Sequence, residues 1–221
     1  MIELNTFQKV AVWAIPVLFA ITVHEVAHGF VAMRLGDPTA KMLGRLSLNP
    51  IKHIDPLGTV VLPLLMLMMT SGAFVFGWAK PVPVTFENLR HPKRDMALVA
   101  VAGPITNLLM ALFWALLMRV AITLGPESDG ALMFLRYVSE AGIQINIVLA
   151  MLNMLPIPPL DGGRVAVGLL PGKLSWQLSR IEPYGFFILI ALLYTHMLDF
   201  ILYPLIQMFL SIFFSIGGSL Y

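Results

Sequence analysis

Cysteine is absent from the 221 residues, so no disulfide framework can form and no thiolate is present to hold a metal. Charge is also scarce: 12% of the residues are Asp, Glu, Lys or Arg, against about a quarter in an average soluble domain. The formal net charge of +2 is too small an electrostatic footprint for nucleic acid. No internal repeat and no low-complexity tract is found. The N-terminus lacks a basic stretch followed by a small-residue cleavage site, so the first apolar run is expected to be retained rather than removed as a signal peptide. What the chain has in quantity is apolar: 58% hydrophobic residues and a mean hydropathy of +0.85. These values describe an integral membrane protein, read as a single membrane-embedded domain over residues 1–221 with no room for a large soluble domain.

The first long apolar run carries His24-Glu25-Val26-Ala27-His28. On a helix, positions i and i+4 share a face, so His24 and His28 are placed to hold one metal ion. Glu25 then sits close enough to take a proton from water at that metal, the arrangement of a zinc-dependent protease. Ionisable side chains are costly in lipid and mark function by default. A helix end that has left the bilayer is the plain alternative.

The remaining sequence divides by its proline, glycine and charge. A first helix is expected over about residues 7–35, stopped by Gly36-Asp37-Pro38. From Lys9 to Arg34 it would rise roughly 37 Å, enough to cross a bilayer, with His28 about 9 Å along the axis from Arg34. Arg45-Leu46-Ser47-Leu48 alternates like a short strand. Lys80-Pro81-Val82-Pro83-Val84 reads as an edge strand, because its two prolines strip donors from one edge only. Residues 57–76 are apolar but broken by Pro63 and Gly72. Helices are expected over about 96–124 and 140–155, with a loop at 125–139. A last apolar stretch, 183–216, is expected to fold back at Asp199 and Pro204 as two short helices.

Basic residues in short loops set orientation. Loops 34–56 and 77–95 each carry four Lys or Arg and segment 162–182 carries three, whereas loop 125–139 has only Arg136 beside Glu127 and Asp129. The first three are therefore expected in the cytoplasm. That leaves both flanks of 57–76 on one side and makes the segment re-entrant. His28 and Asp161 then fall at one depth, near the cytoplasmic side, and Asp161 becomes the third protein ligand that zinc requires. The expected fold is an all-α polytopic bundle with a small membrane-associated β-hairpin or sheet, a re-entrant segment and a C-terminal helical hairpin at about 183–217.

Three motifs in order resemble the site-2 protease family of intramembrane zinc metalloproteases: His24-Glu25-Val26-Ala27-His28, Gly103-Pro104-Ile105-Thr106-Asn107, and the segment from Asn153 through Pro156 and Pro159 to Leu160-Asp161-Gly162-Gly163. The segments beginning at Gly44 and Phe76 are similar to the compact bacterial members, those without a PDZ or CBS domain. The resemblance covers about residues 15–170. It implies one Zn²⁺ per chain on His24, His28 and Asp161, with Glu25 as general base and Asn153 steadying the substrate carbonyl. It also implies a cell-membrane location and a substrate with a transmembrane segment, in regulated proteolysis or the clearance of signal-peptide remnants.

Further roles come from the residues. The strand around Leu46, Ser47 and Leu48 is the expected receiver of unwound substrate, because its edge carries no proline. Asn107 is counted with the substrate-binding candidates and also as a brace for the zinc helix. Gln144 and Asn146 are expected as interhelical glue, and His53 with Asp55 as a solvated turn. Other function classes are a catalytically inert metal-binding or interaction protein, against which intact Glu25 argues, and an ion or proton transporter, for which the outer half offers no matching ionisable residues.

Overall fold

The computed structural model describes residues 5–69, 77, 79–125 and 129–219. Helix α1 spans Thr6–Arg34. Its start is written locally: the Asn5 side chain accepts from the Gln8 N–H while the Gln8 side chain accepts from the Asn5 N–H, each at 2.9 Å. Its end is written at Gly36, whose φ of +117° is reached easily only by glycine. Helix α2 (Thr39–Met42) is a single turn. A π-helical turn at Pro56–Val61 runs into α3 (Leu62–Met69). The long helices α4 (Pro92–Leu124) and α5 (Gly130–Asn153) follow, then the short α6 (Asp161–Leu169), α7 (Gly172–Ser179) and α8 (Gly185–Tyr194), and finally α9 (Met197–Gly217).

Four of these, α1, α4, α5 and α9, are long and apolar enough to cross a membrane. Helix α4 is the axis of the bundle, packed by α1, α5, α6 and α9. The core between them is built from Val12, Ala111, Trp114, Ile143, Leu210 and Phe214. The end of α1 is tied to the approach to α4 by the Arg90 N–H, which donates to the Leu35 carbonyl at 3.0 Å. The α1 C-terminus, the α4 N-terminus, the α5 C-terminus and α6 therefore lie at one end of the bundle.

Several expectations are revised. Helix α5 starts ten residues before the expected 140, because Asp129 caps it: the Asp129 carboxylate accepts from Ala131 N–H at 2.9 Å and Leu132 N–H at 3.2 Å. The C-terminal stretch breaks at Thr195-His196, with His196 at φ 56°, rather than at Asp199 or Pro204, and α9 beyond the break is 21 residues long, not a short helix. The described part of the re-entrant candidate ends at Met69, and residues 70–76 of that expectation lie outside the described residues.

The expected β-hairpin is not formed among the described residues. Residues 45–49 and 79–85 carry no regular structure and do not pair as a ladder. Pro81 and Pro83 have no N–H to give. The carbonyls of Lys80 and Pro81 are taken instead by the Arg45 guanidinium, at 3.0 and 3.3 Å, and the Lys80 N–H goes to the His53 carbonyl at 2.9 Å. A side chain stands where a second strand would have stood. His53, expected in a solvated turn, is buried, and its Nε2 donates to the Ser47 carbonyl at 2.8 Å.

Candidate metal centre

His24 and His28 face the same way from one turn of α1, with their rings in edge contact at 4.6 Å between centroids. Each uses Nδ1 for support. His28 Nδ1 donates to the Val99 main-chain oxygen at 2.7 Å, and His24 Nδ1 donates to Asn107 Oδ1 at 2.5 Å. Both acceptors lack a proton of their own, so both imidazoles carry theirs on Nδ1 and present an Nε2 lone pair. Those two Nε2 atoms are 3.0 Å apart.

Asp161 meets them from α6. Its Oδ2 lies 3.1 Å from His24 Nε2 and its Oδ1 lies 3.3 Å from His28 Nε2. The third motif shapes the turn that carries it. The turn ahead of α6 includes a cis peptide between Pro158 and Pro159. Gly163 is also obligatory, since a Cβ there would stand 2.2 Å from the Pro158 nitrogen. Gly103 has a matching function on α4: a Cβ would stand 2.5 Å from both His24 Cε1 and His28 Nε2. The glycine of the second motif makes room for the two imidazoles.

The three side chains are buried, and their ligand atoms all lie within 4.8 Å of one another. Lone pairs converge here with no proton between them, and Asp161 Oδ2 has no hydrogen-bond donor. Such a cluster repels itself unless a cation or a proton is at its centre. Two imidazole nitrogens and a carboxylate oxygen form the ligand set of a catalytic zinc site, which uses three protein ligands and keeps a fourth position open.

The cluster opens into a cavity of about 310 Å³ whose wall includes Glu25, Val82, Asn153 and Arg164. Glu25 Oε2 accepts the Val82 N–H at 2.7 Å. Because residues 81 and 83 are proline, that N–H is the only donor the backbone offers between them. Asn153 reaches the same cavity, with its Nδ2 donating to the Leu149 carbonyl at 3.0 Å. Asn107 stands behind His24, fully buried, and away from the open side.

The segment over the cavity is anchored by Asp37. This buried carboxylate accepts from the Thr85 N–H at 2.7 Å, from the Thr39 N–H at 3.0 Å, from the Thr39 hydroxyl, and from Asn88 Nδ2 at 3.2 Å. Burial alone would raise its pKa, but these donors outweigh burial and hold it below the ordinary value of 3.8. Leu46 lies over Gly29 and is half-buried, while Leu48 is exposed. Leu48 and Pro50 border a small apolar cavity of about 120 Å³ against Ile15, Phe19 and Thr22 of α1.

Four of these groups were not expected from the sequence. The lone donor of Pro81-Val82-Pro83 was readable there in principle. Asp37 was visible only as a helix stop. Val99 acts through its carbonyl and leaves no sequence signal, and the Arg45 contact depends on how two distant loops meet.

Residues 120–195 match the family model of peptidase family M50, which takes in Asn153 and Asp161. The chain is 38% identical over 194 residues to "Putative zinc metalloprotease YwhC" of Bacillus subtilis, covering 87% of this chain and 84% of that protein. It is 28% identical over 209 residues to "Putative zinc metalloprotease Rip2" of Mycolicibacterium smegmatis, covering 92% of this chain and 76% of that protein. A shorter match, 39% over 67 residues, is to the similarly named MJ0611 of Methanocaldococcus jannaschii, covering 30% of this chain and 31% of that protein. No solved structure matches.

Proposed function

The chain belongs to peptidase family M50, the site-2 protease family, as a multi-pass membrane protein with zinc as its cofactor, and from that premise we propose that it is an endopeptidase cutting membrane-protein substrates within or beside a transmembrane segment. The observation that carries the reading is the convergence of His24, His28 and Asp161 on one point beside Glu25, at the wall of a cavity. We assign the three as the zinc ligands and Glu25 as the general base.

When bound, zinc supplies a Lewis acid that acidifies water and polarises a carbonyl. The chain's own groups do the rest. Glu25 accepts the proton of the attacking water on a carboxylate oxygen and returns it to the leaving amine nitrogen. The Val82 N–H holds that carboxylate in place. Asn153, at the cavity wall, is placed to donate its amide to the oxygen that gains charge on the substrate. Asp161 brings the negative charge that a dication needs at low dielectric.

A helical peptide bond is shielded by its own hydrogen bonds, and unwinding it in lipid exposes groups at several kcal/mol each. An open backbone edge offsets that cost by pairing with the unwound chain. The N–H groups of Leu46 and Leu48 have no partner among the described residues, whereas the Ser47 N–H bonds the Arg45 carbonyl at 3.0 Å and the Ser47 carbonyl bonds His53. Leu46 and Leu48 therefore offer the open donors of the segment, with the small cavity beside Leu48 open to a substrate side chain. Cleavage is expected at the end of the bundle that carries the basic loops, which the positive-inside rule assigns to the cytoplasm.

The test uses single-span substrates carrying Gly or Asn, in detergent. Leu46→Pro and Leu48→Pro should each lower cleavage at least tenfold while zinc content stays at wild type. Undiminished cleavage by both variants would remove the receiving edge from the account.

A further inference from the structure

A chain of two buried amides runs from His24 across α4 to α5, and the hydrolytic chemistry does not itself use it. Asn107 on α4 and Asn146 on α5 are both fully buried. Asn146 Nδ2 donates to the Gly142 main-chain oxygen at 2.8 Å. A carbonyl only accepts, so this contact fixes which end of the Asn146 amide faces Asn107. That end is Oδ1, which accepts from Asn107 Nδ2 at 2.9 Å. The same Nδ2 also donates to the Ala20 main-chain oxygen, one turn ahead of His24, at 3.3 Å. Asn107 Oδ1 is thereby turned toward His24 Nδ1. Each link leaves the next only one orientation, and main-chain carbonyls anchor it at two points.

The two histidines differ in this respect. His28 is held by a main-chain carbonyl, that of Val99, which any side chain at that position would supply. His24 is held by a side chain, which is held in turn by another side chain on a third helix. Support for one ligand is therefore encoded in the choice of Asn at two positions. A buried hydrogen-bond chain of this kind sets the tautomer and ring direction of a metal ligand, and losing such a partner typically costs about 10–100-fold in metal affinity.

Resting on the reading of His24 as a zinc ligand, we infer that Asn107 and Asn146 are positioning residues for it: the relay that starts at the Gly142 carbonyl sets the Nδ1–H tautomer of His24 before the metal arrives. Without Asn107 the ring is free to carry its proton on Nε2, at the place the metal must occupy. Asn146 acts one step back, so its loss leaves Asn107 held by the Ala20 carbonyl alone.

The experiment reads ¹⁵N-histidine spectra of the metal-free protein in detergent, and zinc affinity by competition with a chromogenic chelator. Wild-type His24 should appear as the Nδ1–H tautomer. Asn107→Leu should mix the tautomers and weaken zinc roughly 10–100-fold. Asn107→Asp, which keeps an acceptor facing Nδ1 but loses the donor to Asn146 Oδ1 and the Ala20 carbonyl, should retain the Nδ1–H tautomer at a lowered melting temperature. Asn146→Leu should fall between. If Asn107→Leu fails to fold by its helical signal, the wild-type spectrum with Asn107→Asp and Asn146→Leu decides the matter. Wild-type His24 protonated on Nε2, or zinc bound equally by wild type and the leucine variants, would overturn the inference alone. A wild type that binds no zinc would overturn the peptidase reading and take the inference with it.

Discussion

At the scale of single residues, the site is a set of acceptors held in place by donors that face away from it. Nδ1 of each histidine is committed to an oxygen, so that each Nε2 is free. Gly103 and Gly163 matter for the atoms they lack. Asp37 follows the same logic outside the metal cluster, as one carboxylate that gathers three residues' donors and fixes the loop over the cavity. Its folded pKa is depressed, so the stability it confers is present above its unfolded value and is lost as pH falls through the folded one. Asp37→Asn should lower the melting temperature in detergent at neutral pH, by the equivalent of about 1–3 kcal/mol. The gap to wild type should narrow as pH is taken down through the carboxylate range. A gap that stayed constant with pH would show that ionised Asp37 is not the anchor.

At the scale of elements, the segment 79–85 is the piece the sequence describes least well. Its prolines correctly mark it as short of donors. Alternation at Arg45–Leu48 suggested a partner strand, but alternation cannot reveal that the Arg45 guanidinium reaches across to the Lys80 and Pro81 carbonyls and stands in for a ladder. The α5 start was misplaced for a related reason. Glu127, Asp129 and Arg136 made residues 125–139 read as a polar loop, although Asp129 is the cap that begins the helix. What was legible is the chemistry with fixed spacing. His24 and His28 share a face by helical geometry alone, and Asp161 could be brought to their depth by counting crossings. The bond from the Val82 N–H to Glu25 predicts that Val82→Pro, which deletes the donor, will keep zinc yet lose roughly tenfold or more in cleavage, the scale of one hydrogen bond to a charged group. Val82→Ala, which keeps it, should remain near wild type. Equal activity in the two would mean that the segment merely covers Glu25.

At the scale of the whole molecule, four helices are long and apolar enough to cross a membrane, and one end of the bundle gathers the α1 C-terminus, the α4 N-terminus and α6 around the metal cluster. The absence of cysteine makes this arrangement directly testable, since every introduced thiol is unique. In sealed membrane vesicles, Lys41→Cys and Lys173→Cys should react with an impermeant maleimide from one side and Ala131→Cys from the other. Reaction of Lys41→Cys and Ala131→Cys from the same side would break the topology. The central claim is zinc-dependent hydrolysis with Glu25 as base, and the most direct test measures metal content and cleavage together. Wild type and Glu25→Gln would be purified in detergent and offered a panel of single-span helices. About one zinc per chain in both proteins, with cleavage reduced at least ~100-fold in Glu25→Gln, is the predicted result. Cleavage by Glu25→Gln at the wild-type rate, or a freshly prepared wild type that neither contains zinc nor takes it up, would contradict it.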